Sequence, residues 1–359
     1  MAYQTILFDR NEGVGMVTLN RPDQLNAFTP QMLQELMDVF KGMERDPEVR
    51  AIIITGAGKA FCGGEDFKSR AEAEVVAAPP PPTPNLYDGG AYNPAYSNPY
   101  TVGSAPTTLD PTPSYSPLNP GPPPMSNNTT ESPPPSPYDN PFGPPTGQVT
   151  PLAVPVIPVQ PVAPTAQAAN VPRQTKMSEQ IRWAYNPLIK QIRAIEKPII
   201  AAVNGVAAGT GLGLALACDI RYASDRARFL EVAVRVGLLP GGGNTFFLPR
   251  LIGLSQALEL AFSGDELTAA EAQRLGLVSR VIPQEQLMEQ TRAFAVRLAK
   301  GPTRAIGLTK SLVYRGANLT LDQALDLEAQ MTEEANRTED YKEGLRAFLE
   351  KRPPKYRGQ

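Results

Sequence analysis

Apolar and polar positions alternate from Tyr3 to Asp9 and again from Val14 to Asn20. Asn11, Glu12 and Gly13 lie between the two runs, so the pattern predicts two strands joined by a tight turn. Residues 20–30 break the alternation. Thr29 and Pro30 then make a helix start, and Met32, Leu36, Val39, Phe40 and Met43 recur at helical spacing through 31–45. Residues 50–55 read as a short buried strand, followed by a glycine-rich loop. Beyond residue 178 the pattern predicts a helix over 179–195, a buried strand over 198–203, a helix of small residues over 211–217, and short strands over 220–223 and 228–231. From about Thr245 helices dominate, over 256–262, 269–275, 284–299, 302–313 and 321–336. Strand-then-helix units followed by a helical tail predict an α/β fold.

One stretch has no such pattern. Of the 39 prolines, 28 lie between Pro79 and Pro172, where the only charged residues are Asp88, Asp110, Glu131 and Asp139. Proline removes a backbone donor and biases the preceding residue away from helix, so this stretch is expected to be a disordered, partly polyproline II insert. It divides the chain into residues 1–78, the amino-terminal part of one core; 79–172, the insert; 173–264, the central part; and 265–359, a helical carboxyl-terminal region. Tyr87, Tyr92, Tyr96, Tyr100, Tyr115 and Tyr138 within the insert could serve proline-binding domains or self-association. A surface-loop insertion with no partner is the alternative, because loop closure costs little more as length grows.

Composition narrows the chemistry. The 359 residues include no histidine and two cysteines, with 34 basic against 36 acidic side chains. Absent histidine excludes a Ser-His-Asp or Cys-His nucleophile and any imidazole metal ligand, and lone Cys62 and Cys218 cannot build a thiolate metal site. No metal is therefore expected. The near balance of charge, without a basic cluster, argues against nucleic acid. An amino terminus bearing Asp9 and Glu12 is unlike a signal peptide, and two cysteines suit a reducing cytoplasm. Residues 198–218 carry no charge, but Asn204, Thr210 and four glycines make them poor membrane-spanning sequence.

Chemistry concentrates in two loops, Ala60-Phe61-Cys62-Gly63-Gly64-Glu65-Asp66-Phe67 and Asn204-Gly205-Val206-Ala207-Ala208-Gly209-Thr210-Gly211. Each follows an expected strand and is glycine-rich where a helix is about to begin. Backbone N–H groups freed at such turns can converge on a developing negative charge. The glycines could equally serve only tight turns and close packing.

Together the loops resemble the paired oxyanion segments of the enoyl-CoA hydratase/isomerase (crotonase) superfamily. The resemblance continues through Leu19-Asn20-Arg21-Pro22 with Leu25-Asn26-Ala27, Lys197-Pro198 to Asp219-Ile220, Gly237-Leu238-Leu239-Pro240-Gly241-Gly242, Leu248-Pro249-Arg250-Leu251-Ile252-Gly253, Ala270-Glu271-Ala272 and the tail 348–354. It is strongest toward the epoxyphenylacetyl-CoA isomerase branch, through Asn204-Gly205-Val206-Ala207-Ala208-Gly209-Thr210-Gly211, Leu248–Gly253 and Gly301–Ala305. The resemblance implies a crotonase-like repeated ββα superhelix with a helical carboxyl-terminal region. It implies that the N–H groups of Glu65 and Thr210 hold the thioester carbonyl of an acyl-CoA, with Gly63, Gly64, Gly209 and Gly211 shaping the loops and Ala27 beside them. Coenzyme A would then be part of the substrate, with no separate cofactor. Arg21 and Lys68 become contacts for its phosphates or else solvated surface charges. Asp66 belongs to the same acyl-CoA-binding loop, which it is expected to brace by hydrogen bonds to backbone amides. A homotrimer or hexamer formed through residues 321–348 is also implied.

The chain departs from that family where acid–base chemistry is expected. Its two hydratase glutamate positions fall on Gly213 and Ala233, and the isomerase aspartate position falls on Gly241. Glu65 and Glu231 are the replacement carboxylates, Glu231 because an extended segment would place it on the face of Ala233. Two functions follow: an acyl-CoA enzyme of hydratase or isomerase type in fatty or aromatic acyl-CoA catabolism, or a catalytically attenuated acyl-CoA-binding protein whose insert recruits partners.

Overall fold

A computed structural model of the chain describes residues 3–66 and 177–359; the proline-rich stretch and Lys68 lie outside the described residues. The chain begins with the expected hairpin, β1 (Ile6–Asn11) and β2 (Val14–Leu19), in antiparallel register from Ile6 opposite Leu19 to Asn11 opposite Val14. Glu12 and Gly13 both have positive φ, 53° and 77°, the conformation a two-residue hairpin turn requires. Only Ile6 of β1 is buried, and Leu7 and Phe8 face outward, because β1 is the edge of its sheet.

Helix α1 (Pro30–Arg45) starts where Thr29 accepts a hydrogen bond from the Met32 N–H, and it buries Met32, Leu33, Leu36, Val39, Phe40 and Met43. At about 1.5–3 kcal/mol for each fully buried side chain, that stripe is what holds the helix on the sheet. Strand β3 (Ala51–Gly56) is buried on both faces. Its Ile52 and Ile54 join the α1 side of the core, whereas Ala51 and Ile53 pack on the other side with Leu287, Ala295 and Ala299 of a later helix.

The chain then steps repeatedly from one sheet to another. The strand β3 leads to β4 (Ala60–Cys62), β5 (Ile199–Val203) to β6 (Val206–Ala208), and β7 (Ile220–Ser224) to β8 (Arg228–Leu230). The first members form a six-stranded sheet in the order β1-β2-β3-β5-β7-β10, with β10 spanning Arg280–Ile282. The second members form a four-stranded sheet in the order β4-β6-β8-β9, with β9 spanning Glu266–Thr268. This is the repeated ββα architecture that the sequence resemblance implies. The uncharged run 198–218 is divided among β5, β6 and α3 (Thr210–Ala217), and no helix among the described residues is long and apolar enough to cross a membrane.

Before β5 the chain makes a helical turn (Met177–Gln180), a π turn (Ile181–Tyr185) and α2 (Asn186–Ala194), where a single helix was expected. After β8 come a 3-10 turn (Ala233–Val236), α4 (Asn244–Ile252), α5 (Leu254–Ser263), α6 (Ala269–Arg274), α7 (Leu287–Ala299), α8 (Thr303–Gly316), α9 (Leu321–Asn336) and α10 (Glu339–Leu349). The carboxyl-terminal region is built into the core: β10 extends the large sheet beside β7, and α7 covers its second face. The tail returns to the start of β3, where Arg50 donates to Thr303 Oγ1 and to the carbonyls of Gly301 and Tyr356.

Candidate active site

Parallel pairing brings the two glycine loops together. Ala60 lies opposite Val206 and Cys62 opposite Ala207, so β4 and β6 release their loops side by side at their carboxyl ends. Asn26 and Asn204 secure the approach to β4: Asn26 Nδ2 donates to the carbonyls of Ala57 and Ala60, and Asn204 Nδ2 to those of Gly58 and Ala60. Gly64 has φ 92°, and a Cβ built on it would be 2.7 Å from Ala208 O and 3.5 Å from Thr210 N. Only a residue without a side chain allows the loops to approach so closely.

On the first loop Phe28 N donates to Gly64 O and Asp66 N to Phe28 O, a parallel bridge about Glu65. The alternation of such a bridge turns the Glu65 N–H to the side away from Phe28. On the second, Gly209 adopts φ 50° and ψ −123°, and Thr210 begins α3. As the first helical residue Thr210 has no intrahelical carbonyl for its N–H. Both residues line a cavity of about 470 Å³, together with Gly63, Gly64, Gly209 and Glu231. Tyr185, Leu238 and Leu239 supply an apolar wall. The hydroxyl of Thr210 is also buried, with no hydrogen-bond partner among the described residues. An electron-rich oxygen entering this cavity meets a helix amino terminus and the exposed edge of a loop, an arrangement suited to stabilising negative charge.

The remaining expected contacts lie behind the loop. Arg21 pairs with Asp66 at 3.0 Å and donates to Ala27 O at 2.6 Å, so it is committed to bracing the first loop rather than presented to a phosphate. Asp66 is the acidic partner in this ion pair, which ties the loop to Arg21, and Ala27 is buried. Gly211 is a packing residue: a Cβ there would be 2.4 Å from Cys62 O. Burial pushes the Cys62 thiol up to about 12, which keeps it neutral beside the loop.

Glu231 does not share an extended face with Ala233. The strand β8 ends at Leu230, and Ala233–Val236 form a 3-10 turn that bends the segment. The Glu231 side chain instead turns inward and is 0% exposed. Its Oε1 accepts from Ala233 N at 3.4 Å, and its Oε2 accepts from Asn244 Nδ2. Burial raises its pKa, against the two hydrogen bonds, which lower it. Asn244, the first residue of α4 and equally buried, also donates from Nδ2 to Gly209 O at 2.8 Å. The sequence pattern had not singled out Asn244 or Tyr185. A buried-type polar residue directly after three glycines was the available signal for the first; the second had none.

The positions lacking carboxylates differ in kind. Ala233 and Gly241 line the cavity. At Gly213 there is no space: a Cβ would be 2.4 Å from Gly242 O and 2.8 Å from Gly242 C. The turn after Pro240 fills the volume a side chain would need. A larger cavity of about 680 Å³ adjoins at Asn186 and Gly243, against Arg193, Lys310 and Tyr314. There Lys310 pairs with Asp219 at 3.0 Å and Arg193 lies over the Tyr314 ring, whereas the two glycine loops both open on the smaller cavity.

Comparison with known proteins agrees with this geometry. The family profile described as enoyl-CoA hydratase/isomerase matches residues 9–87 and 166–359. A 1,2-epoxyphenylacetyl-CoA isomerase of Escherichia coli (strain K12) is 30% identical over 353 residues, covering 98% of both chains. A short-chain-enoyl-CoA hydratase of Clostridium acetobutylicum is 28% identical, covering 98% of this chain and 97% of its own. The crystal structure of an enoyl-CoA hydratase from Bacillus anthracis superposes with a TM-score of 0.68 at 26% identity, covering 99% of this chain and all of its own. Paired strand-end loops, a two-sheet ββα frame and matches on both flanks of the proline-rich stretch lead to one conclusion: this chain belongs to the enoyl-CoA hydratase/isomerase family, a family of lyases and isomerases.

Proposed function

We propose that the cavity binds the thioester carbonyl of an acyl-CoA and that the N–H groups of Glu65 and Thr210 stabilise the enolate formed when a proton leaves the acyl chain. The observation that carries this is the convergence of the two loops: a Cβ placed on Gly64 would lie 3.5 Å from Thr210 N, and both loops line one cavity. Two preorganised donors at such a charge contribute several kcal/mol, and neither needs histidine. Coenzyme A enters as part of the substrate. Ile181, Tyr185, Leu238 and Leu239 suit the hydrocarbon of a fatty or aromatic acyl group.

Of the two carboxylates in the wall, Glu65 is the one with solvent access, and it takes the proton-transfer role; Glu231 is sealed inside. With no carboxylate at Gly213, Ala233 or Gly241, proton relocation by one carboxylate fits this wall better than two-glutamate hydration. Turnover of a panel of enoyl-CoA thioesters tests the assignment. Glu65→Gln is expected to lower kcat at least 100-fold with acyl-CoA still bound, and wild-type turnover by that variant would remove Glu65 from the chemistry.

The same empty positions favour a second reading, an attenuated acyl-CoA-binding protein. Tight acyl-CoA binding with no turnover of any panel member would select it. A homotrimer or hexamer formed through the carboxyl-terminal helices, and a proline-binding-domain partner for the stretch 79–172, complete the proposed function.

A further inference from the structure

The Gly209 carbonyl and the Thr210 N–H belong to one planar trans peptide, so fixing the direction of the oxygen fixes the hydrogen on its opposite side. Glycine alone would fix it poorly, because its conformational range is the widest of any residue. Two donors hold the oxygen: Gly213 N at 3.1 Å, the first hydrogen bond of α3, and Asn244 Nδ2 at 2.8 Å, from the start of α4. An asparagine amide has two N–H hydrogens, and the second goes to Glu231 Oε2. Glu231 is held in turn by Ala233 N, while Gly209 N donates to Leu230 O at 2.9 Å. Gly209 is thus tied on both sides to the segment 230–233. The Asn244 Oδ1 is buried with no partner among the described residues, so the side chain is present for its donors.

We propose that Asn244 is a positioning residue for the charge-stabilising peptide: by linking Gly209 O to the buried Glu231 carboxylate, it sets the plane of the Gly209–Thr210 peptide and aims the Thr210 N–H into the cavity. This rests on the reading of that N–H as an oxyanion donor. Glu231 acts in the same chain as the acceptor that orients Asn244, which accounts for a carboxylate placed beside the cavity yet sealed from solvent.

The probe is hexanoyl-CoA carrying ¹³C at its thioester carbonyl, a saturated ligand that binds without reacting. On the full chain the bound carbonyl resonance is expected to move downfield, reporting polarisation by the donors. Asn244→Ala is expected to bind the probe within about threefold of wild type, to lose most of that shift, and to lower kcat 10- to 100-fold with little change in KM. That loss is smaller than the roughly 10²–10³-fold typical when an oxyanion donor is deleted, because the N–H is loosened rather than removed. Glu231→Gln retains an oxygen for Asn244 and is expected to rescue the shift that Glu231→Ala loses. A full shift and full kcat in Asn244→Ala would overturn the proposal, as would failure of Glu231→Gln to rescue. A wild-type chain that binds the probe with no shift would instead remove the oxyanion reading itself. If Asn244→Ala does not fold, the double variant Glu231→Gln with Asn244→Leu is measured in its place, since it keeps the volume, lacks the donors and leaves no unpaired charge buried; the same loss of shift is expected.

Discussion

A carboxylate buried without a cation is costly to ionise, and Glu231 is held in that state, with hydrogen bonds from Asn244 and Ala233 as its only compensation among the described residues. The consequence for stability has a definite sign. An ordinary glutamate titrates near about 4.3, and burial raises Glu231 above that value in the folded chain. Between the two values the folded state holds more protons than the unfolded state, so this residue's contribution to stability falls as pH rises through the window and then levels off. Glu231→Gln removes the dependence. The urea midpoint of the variant, compared with wild type from pH 4 upward, is expected to improve progressively in favour of the variant before reaching a plateau. Parallel pH profiles would show that the carboxylate titrates normally in the folded chain.

The elements that position the site are short, and their contacts decide what substitutions they accept. Helix α3 rests on the turn after Pro240 so closely that Gly213 has no room for a methyl group. Gly213→Ala is therefore expected to cost about 1–3 kcal/mol in urea unfolding, the usual range for overpacking, and Gly213→Glu cannot restore a hydratase carboxylate. A loss under about 0.5 kcal/mol would mean that the turn yields. These short elements are also where the sequence was hardest to read. The amphipathic stripe of α1 and the spacing of α9 were legible because sixteen residues repeat a helical period. Of the five three-residue strands among the described residues, β8 lies within an expected segment, but β4, β6, β9 and β10 have no period to show, and pairing with distant partners creates them. The glycine loops around Glu65 and Thr210 stand out locally, and the family resemblance singles out those two residues within them. The link from Asn244 to Gly209 could not, since it joins residues 35 positions apart. The face assigned to Glu231 failed for a similar reason: a 3-10 turn replaces the extended segment on which the assignment depended.

At the scale of the whole molecule, the helices beyond the core leave apolar side chains facing outward in ordered stripes. On α10, Tyr341, Leu345 and Leu349 follow one another at four-residue spacing, with Phe348 beside them at 80% exposure. On α9, Leu321 and Leu325 make a shorter stripe of the same kind. Helical spacing normally marks the face turned toward a partner, and scattered exposed leucines would not fall into register in this way. Neither stripe overlaps the Arg50, Gly301 and Tyr356 clasp, so a change in it leaves the return of the tail to β3 intact. Light scattering of the full chain is expected to give the mass of a trimer or hexamer. Phe348→Asp combined with Leu349→Asp is expected to shift that mass toward the protomer while the far-ultraviolet circular dichroism is retained, because both side chains are mostly in water in the single chain. A protomer mass for the wild type would show that these stripes are not an interface between copies of this chain. An unchanged oligomer in the double variant would move the interface away from α10.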